Sequence, residues 1–197
     1  MIAAVNHGVA TPERSASLAH LLSQLDAVPV PTVVSTCTPG GALEGAVSTL
    51  RLGLRATADR ILYIEDDGYL APDADERLAE LLAGELPNVL WLHGPKPAHG
   101  PATGQWFEEA PKPAGAVALL LSRDAAQRAI DYAPRVWSAW SVVEEMMWIG
   151  AGDGAPCVEL WPSLVQHRGD IPTVHGWGGA RGCHSPSFRA RYERGIP

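Results

Sequence analysis

The sequence has no run of eighteen apolar residues; its longest apolar stretches, such as Ala114 to Leu121, are only strand-sized. A membrane-spanning helix is therefore not expected. Cys37, Cys157 and Cys183 are an odd number without ligand-like spacing, which argues against a disulfide scaffold or a zinc knuckle. Positive charge is in deficit: the formal net charge is -7, which argues against an extended polyanion-binding surface but not against a local one. Met1 runs directly into Ile2-Ala3-Ala4-Val5 with neither a basic region nor a cleavage signal, so a cytoplasmic protein is expected. No internal repeat is found. The class these absences leave is a cytoplasmic enzyme or binding domain.

What is present suits one globular domain over 1–197. Hydrophobic residues make up 46% and charged residues 19% of 197 residues, enough for one real core. The 20 glycines and 17 prolines cluster at 94–104, 150–156 and 169–186, which marks these as long loops. Long ordered loops on a small core usually carry the site, although a coding bias toward Gly, Pro and Ala would look the same.

Strand-like and helix-like segments alternate. Ile2 to Val5 reads as a buried strand closing at Asn6-His7-Gly8. Thr11 can cap a helix with Pro12 at its first position and Leu18, Leu21, Leu22 and Leu25 on its apolar face. Val30 to Ser35 is β-branched and strand-like. Val47, Leu50 and Leu54 give helical spacing over about 44–57, and Ile61 to Ile64 reads as a central strand. A helix over 73–83 presents Ala74, Leu78, Leu81 and Leu82 inward, and Val89 to Leu92 is a further strand. The stretch from Gly94 to about Lys112 reads as structureless. Gly115 to Leu121 is a strand ending at Ser122, a good cap for a helix over 123–131. Ser141 and Glu144 have capping-box spacing for another helix, Val158 to Leu160 is a short strand, and mostly loop is expected beyond Pro162. This order implies an α/β fold: a three-layer α/β/α sandwich around a mostly parallel mixed sheet. Residues 1–93 would bind a donor and 94–197, with the long loops, would supply the acceptor side and catalysis.

Ligands of such sheets bind beyond the carboxyl ends of the strands. Glu65-Asp66-Asp67 stands at that end of the central strand. Three adjacent carboxylates repel one another, and a hard divalent cation with oxygen ligands relieves that repulsion. A solvated acidic loop, continued by Asp73, Asp75 and Glu76, is the alternative.

Tyr63-Ile64-Glu65-Asp66-Asp67-Gly68-Tyr69-Leu70-Ala71-Pro72 resembles the stretch around the Asp-any-Asp motif of GT-A fold glycosyltransferases, with Glu in place of the commoner first Asp. The resemblance is to the superfamily rather than to one family within it. It implies transfer of a sugar from a nucleotide-diphosphate sugar, most often a UDP-sugar such as UDP-glucose, with Mn2+ or Mg2+ as cofactor. It places Asp67 on the metal and the donor diphosphate, Glu65 near the nucleoside or the metal's water shell, and Asp66 beside the donor. Trp161-Pro162-Ser163-Leu164-Val165-Gln166-His167-Arg168-Gly169 resembles a late segment of such enzymes in which a histidine completes the metal site, so His167 becomes the second metal ligand. A loop-capping histidine is the alternative, and His175 and His184 lie in the same tail.

For a catalytic base the sequence offers Glu144 and Glu145 near a helix start. In the inverting enzymes that the chain resembles, the second acid of such a pair is the base, which points to Glu145; a capping box would occupy Glu144. Two ordinary first-turn acids are the alternative. Asn6, His7 and Gly8 stand where the resembling enzymes line the nucleotide pocket, Arg14 lies one helical turn on and could reach a base or phosphate, and Cys37, Thr38 and Pro39 after the second strand could do similar work. Trp106, Trp137, Trp140, Trp148 and Trp177 could stack on a sugar or base, or serve as core. From Val165 to Pro197, five arginines face only Asp170 and Glu193, so a phosphate-rich acceptor is an open alternative to a glycan or small molecule. That acceptor could be a modified nucleic-acid base flipped from its stack. A nucleotidyltransferase would predict a phosphate loop after the first strand, and Asn6 to Arg14 contains no Lys. A non-catalytic nucleotide- or glycan-binding module remains the third class.

Overall fold

Alternation along the strands divides the apolar side chains into two clusters, and that division builds the molecule. The computed structural model describes residues 1–8, 10–36, 41–93, 115–136, 142–152, 155 and 157–167, with the backbone alone at 106–110, 142 and 167. The elements are β1 (Ile2–His7), α1 (Pro12–Leu25), β2 (Thr32–Thr36), α2 (Ala42–Leu54), β3 (Arg60–Glu65), β4 (Gly68–Leu70), α3 (Ala74–Ala83) and β5 (Val89–Trp91). They continue with β6 (Trp106–Ala110), β7 (Ala118–Ser122), α4 (Arg123–Tyr132), a 3-10 turn (Ala133–Arg135), α5 (Val142–Ala151), β8 (Cys157–Trp161) and β9 (Val165–His167). Seven strands form one sheet in the order β2-β1-β3-β7-β5-β8-β6, and β4 pairs with β9 in a second, two-stranded sheet. The pairings of β1 with β2, β1 with β3 and β5 with β8 are parallel, while β6 and β7 run against their neighbours.

Ile2, Ala4, Ile61, Tyr63, Val89, Trp91, Leu119 and Leu121 face α2, α4 and α5; Ala3, Val5, Leu62, Ile64, Leu90, Leu92 and Leu120 face α1 and α3. The period of two is the pleat itself, and both faces are apolar because helices cover both. The expected α/β/α sandwich with a mixed sheet is what forms. No helix among the described residues is long and apolar enough to cross a membrane.

The caps follow the sequence. Thr11 Oγ1 accepts from the Arg14 N–H at the start of α1, and Ser122 Oγ accepts from the Ala125 N–H at the start of α4. Four expectations need correction. Residues 106–110 form strand β6 against β8, inside the segment read as structureless. Three residues beyond Pro162 form β9 against β4, which the sequence reading also lacked. Strands of three residues carry too little alternation to be seen. On α3, Leu82 is 40% exposed, and the inward position belongs to Arg77. The Arg77 guanidinium is buried beneath the β8–β9 connection, where it donates to the carbonyls of Pro162 and, at 3.4 Å, Ser163. The second strand begins at Thr32, so Val30 precedes it.

Cys157 is 1% exposed, and burial with the nearby Glu159 charge pushes its thiol up to about 12. At pH 8 its thiolate fraction is then about one in ten thousand, against roughly a quarter for an ordinary thiol. Alkylation at pH 8 followed by peptide mass spectrometry should leave Cys157 unmodified in the native protein and label it fully in denaturant.

Candidate active site

The acidic turn is split by the same alternation that builds the core. Glu65 ends β3 on the side of Ile61 and Tyr63, facing α2 and α5, whereas Asp66 faces α1. Asp67 leads into Gly68 at the start of β4.

Asp66 is the hub of the α1 side. It is completely buried. His7 Nδ1 lies 2.7 Å from its Oδ2, the Gly8 N–H donates to the same oxygen at 3.0 Å, and Arg14 Nη1 donates to Oδ1. Its own N–H donates to the Asn6 carbonyl at 3.0 Å. His7, Gly8 and Arg14 thereby occupy both carboxylate oxygens of Asp66 and tie the end of β1 and the start of α1 to the end of β3. His7 is buried by the same contact. Asn6 is also turned inward, its amide donating to the Tyr63 hydroxyl at 3.0 Å and accepting from Thr49 at 3.4 Å. Arg14, expected to reach a base or phosphate, spans Asp66 and Asp67, with Nη2 at 3.5 Å from Asp67 Oδ2.

On the other side the chemistry is electrostatic. Burial pushes the Glu65 carboxyl well above its usual range; the charges of Asp67, Glu144 and Asp66 add to this, and Arg14 opposes it. Burial likewise raises the Tyr63 hydroxyl, with further contributions from Glu65, Glu144 and Asp67. Glu144 of α5 is thus a member of the acidic site. Glu145, by contrast, accepts from the Tyr132 hydroxyl of α4 at 3.2 Å. The sequence reading, which left Glu145 free and occupied Glu144, differs from this arrangement because one helical residue turns the side chain by about 100°.

The second sheet pairs the strand that follows the acidic turn with the strand that ends at His167. In its register Gly68 stands opposite His167, one residue after Asp67. A Cβ on Gly68 would lie 3.1 Å from the Glu65 carbonyl and 3.2 Å from Val165 Cγ1, so glycine lets the two strands close. Further bonds fix β9: the Leu164 and Val165 N–H groups donate to the Leu92 carbonyl at 2.8 and 3.1 Å, and Ala71 N–H donates to Leu164 at 2.8 Å. His93 Nδ1 lies 3.2 Å from the Val165 carbonyl. Nothing local in the sequence marked His93 or Arg77 as supports of β9, because their partners lie more than seventy residues away.

Among the described residues no three His, Cys, Asp or Glu side chains converge into a metal cage. Mg2+ in substrate-bearing sites is held by one or two carboxylates with phosphates completing the shell, and Asp67, which is 2% exposed and paired with Arg14, would be such a carboxylate. The repulsion that Glu65 receives from Asp67 and Glu144 is of the kind a cation relieves.

No family model matches the chain, and no curated protein matches it in sequence. Several solved structures are similar to it, among them the following two. One is a glycosyltransferase involved in the glycosylation of the major capsid of PBCV-1, with TM-score 0.45 and 11% identity over 71% of this chain and 69% of that one. The other is described as a glucose-1-phosphate thymidylyltransferase from Bacillus anthracis in complex with sucrose, with TM-score 0.35 and 11% identity over 70% of this chain and 56% of that one.

The remaining sequence candidates fall elsewhere. Cys37, Thr38 and Pro39 lie outside the described residues, as do Ser141, Trp137, Trp140, Trp177, His175, His184 and the five arginines beyond position 167; for Trp106 and His167 only the backbone is described. Trp148 is exposed on α5, and its indole donates to the Ala155 carbonyl at 3.1 Å.

Proposed function

We propose that the chain is a metal-dependent glycosyltransferase that moves a sugar from a nucleotide-diphosphate sugar to the hydroxyl of a glycan or small-molecule acceptor. The observation that supports this reading is the β4–β9 register, in which the backbone of His167 stands opposite Gly68, the residue that follows the acidic turn at the carboxyl end of β3. Asp67 and His167 would hold Mn2+ or Mg2+, which, when bound, neutralises charge on the departing diphosphate. Asp66 keeps the rim of β1 in place through His7, Gly8 and Arg14.

Glu144 is the base in this proposal, since its charge acts on Glu65 and Tyr63. As the acceptor oxygen bonds to the anomeric carbon, the carbon–oxygen bond to the diphosphate breaks, the electron pair leaves with the nucleoside diphosphate, and the acceptor proton passes to Glu144. Direct displacement inverts the anomeric centre.

The test is binding and slow hydrolysis of UDP-, GDP- and TDP-sugars with Mn2+ and with chelator. Cation-dependent binding is expected, and binding that persists without metal in Asp67→Ala would overturn the reading. Once a turnover assay exists, Glu144→Gln should lower kcat by about a hundred-fold or more, and Glu145→Gln by only a few-fold. The reverse order would return the base to Glu145, and a product of retained configuration would exclude direct displacement.

A further inference from the structure

Arg14 joins the two halves of the acidic turn unequally. Its Nη1 is fixed on Asp66, which is 0% exposed and also held by His7 and the Gly8 N–H. Its Nη2 reaches Asp67 at 3.5 Å, the outer limit of a hydrogen bond, and the Arg14 side chain keeps 17% of its surface open. Gly8 leaves room for this path: a Cβ there would lie 2.8 Å from Nη1. One end of the guanidinium is therefore anchored, while the other rests on the carboxylate assigned above to the cation.

We infer that Arg14 is a built-in counter-cation that holds Asp67 while no metal is bound and competes with the divalent cation for it. This rests on the assignment of Asp67 to the metal. Two positive centres next to one carboxylate repel, so the free protein binds the cation weakly; a diphosphate, which attracts both charges, removes the conflict. At an effective dielectric between that of water and that of a protein surface, removing the guanidinium charge should tighten cation binding by about ten-fold.

The experiment is calorimetric titration of MnCl2 alone into the wild type, Arg14→Met and Arg14→Lys. The expected result is about ten-fold tighter binding by Arg14→Met and an affinity within about three-fold of the wild type for Arg14→Lys, which keeps the charge. Damage to the fold would weaken binding, so a gain is not a by-product of instability. Should Arg14→Met not fold, Arg14→Gln, which is also neutral but keeps an amide donor for Asp66, should show the same gain. Unchanged or weaker binding in the folded neutral variant, with the wild type binding Mn2+, would overturn the counter-cation role alone. No Mn2+ binding by any of them, even with UDP added, would overturn the metal assignment and this inference with it.

Discussion

Asp66→Ala should lower the free energy of unfolding by about 3 to 5 kcal/mol, a large part of the roughly 5 to 15 kcal/mol that holds a domain of this size. The reason is the hub geometry. His7, the Gly8 N–H and Arg14 all point at one completely buried carboxylate, and its removal leaves a guanidinium and an amide facing a cavity. Asp66→Asn keeps the volume and one acceptor oxygen but not the charge, so a smaller loss of about 2 kcal/mol is expected. Urea unfolding followed by circular dichroism reads both. A loss below about 1 kcal/mol for Asp66→Ala would mean that the three contacts contribute little, and the structural role given to this residue would be wrong.

Asp67→Asn is expected to separate stability from function in the opposite sense. Asp67 is the first of the charges that raise Glu65, so neutralising it relieves repulsion in the apo protein, and the folded state should be unchanged or slightly more stable. Cation-dependent transfer should fall by about a thousand-fold, the several kcal/mol that metal stabilisation of a departing diphosphate supplies. Thermal melts without metal and donor hydrolysis with Mn2+ test the two halves separately. A destabilised variant that still turns over would make Asp67 a structural residue like its neighbour.

The contrast between these adjacent aspartates shows where sequence reading stopped. Both were visible as carboxylates at a strand end, and nothing local told them apart. Their partners did: Asp66 meets residues 52 to 59 positions away, at the end of β1 and in α1. The same holds for Glu144 and Glu145, which a capping-box spacing separated in one sense and the packing of α5 against α4 separated in the other. His167 was singled out by its motif. The pairing of its backbone with Gly68, however, depends on a three-residue ladder with too short a period to be read.

The sequence by itself determined the alternation of strands and helices, the caps at Thr11 and Ser122, and the position of the acidic turn at the end of β3, because these follow from short-range periodicity and hydrogen bonding between near neighbours. Only the tertiary structure decided which partners each carboxylate meets and which helix supplies the next acid. Those choices turn on charges and donors brought together from distant parts of the chain, where desolvation and pairing outweigh any local preference.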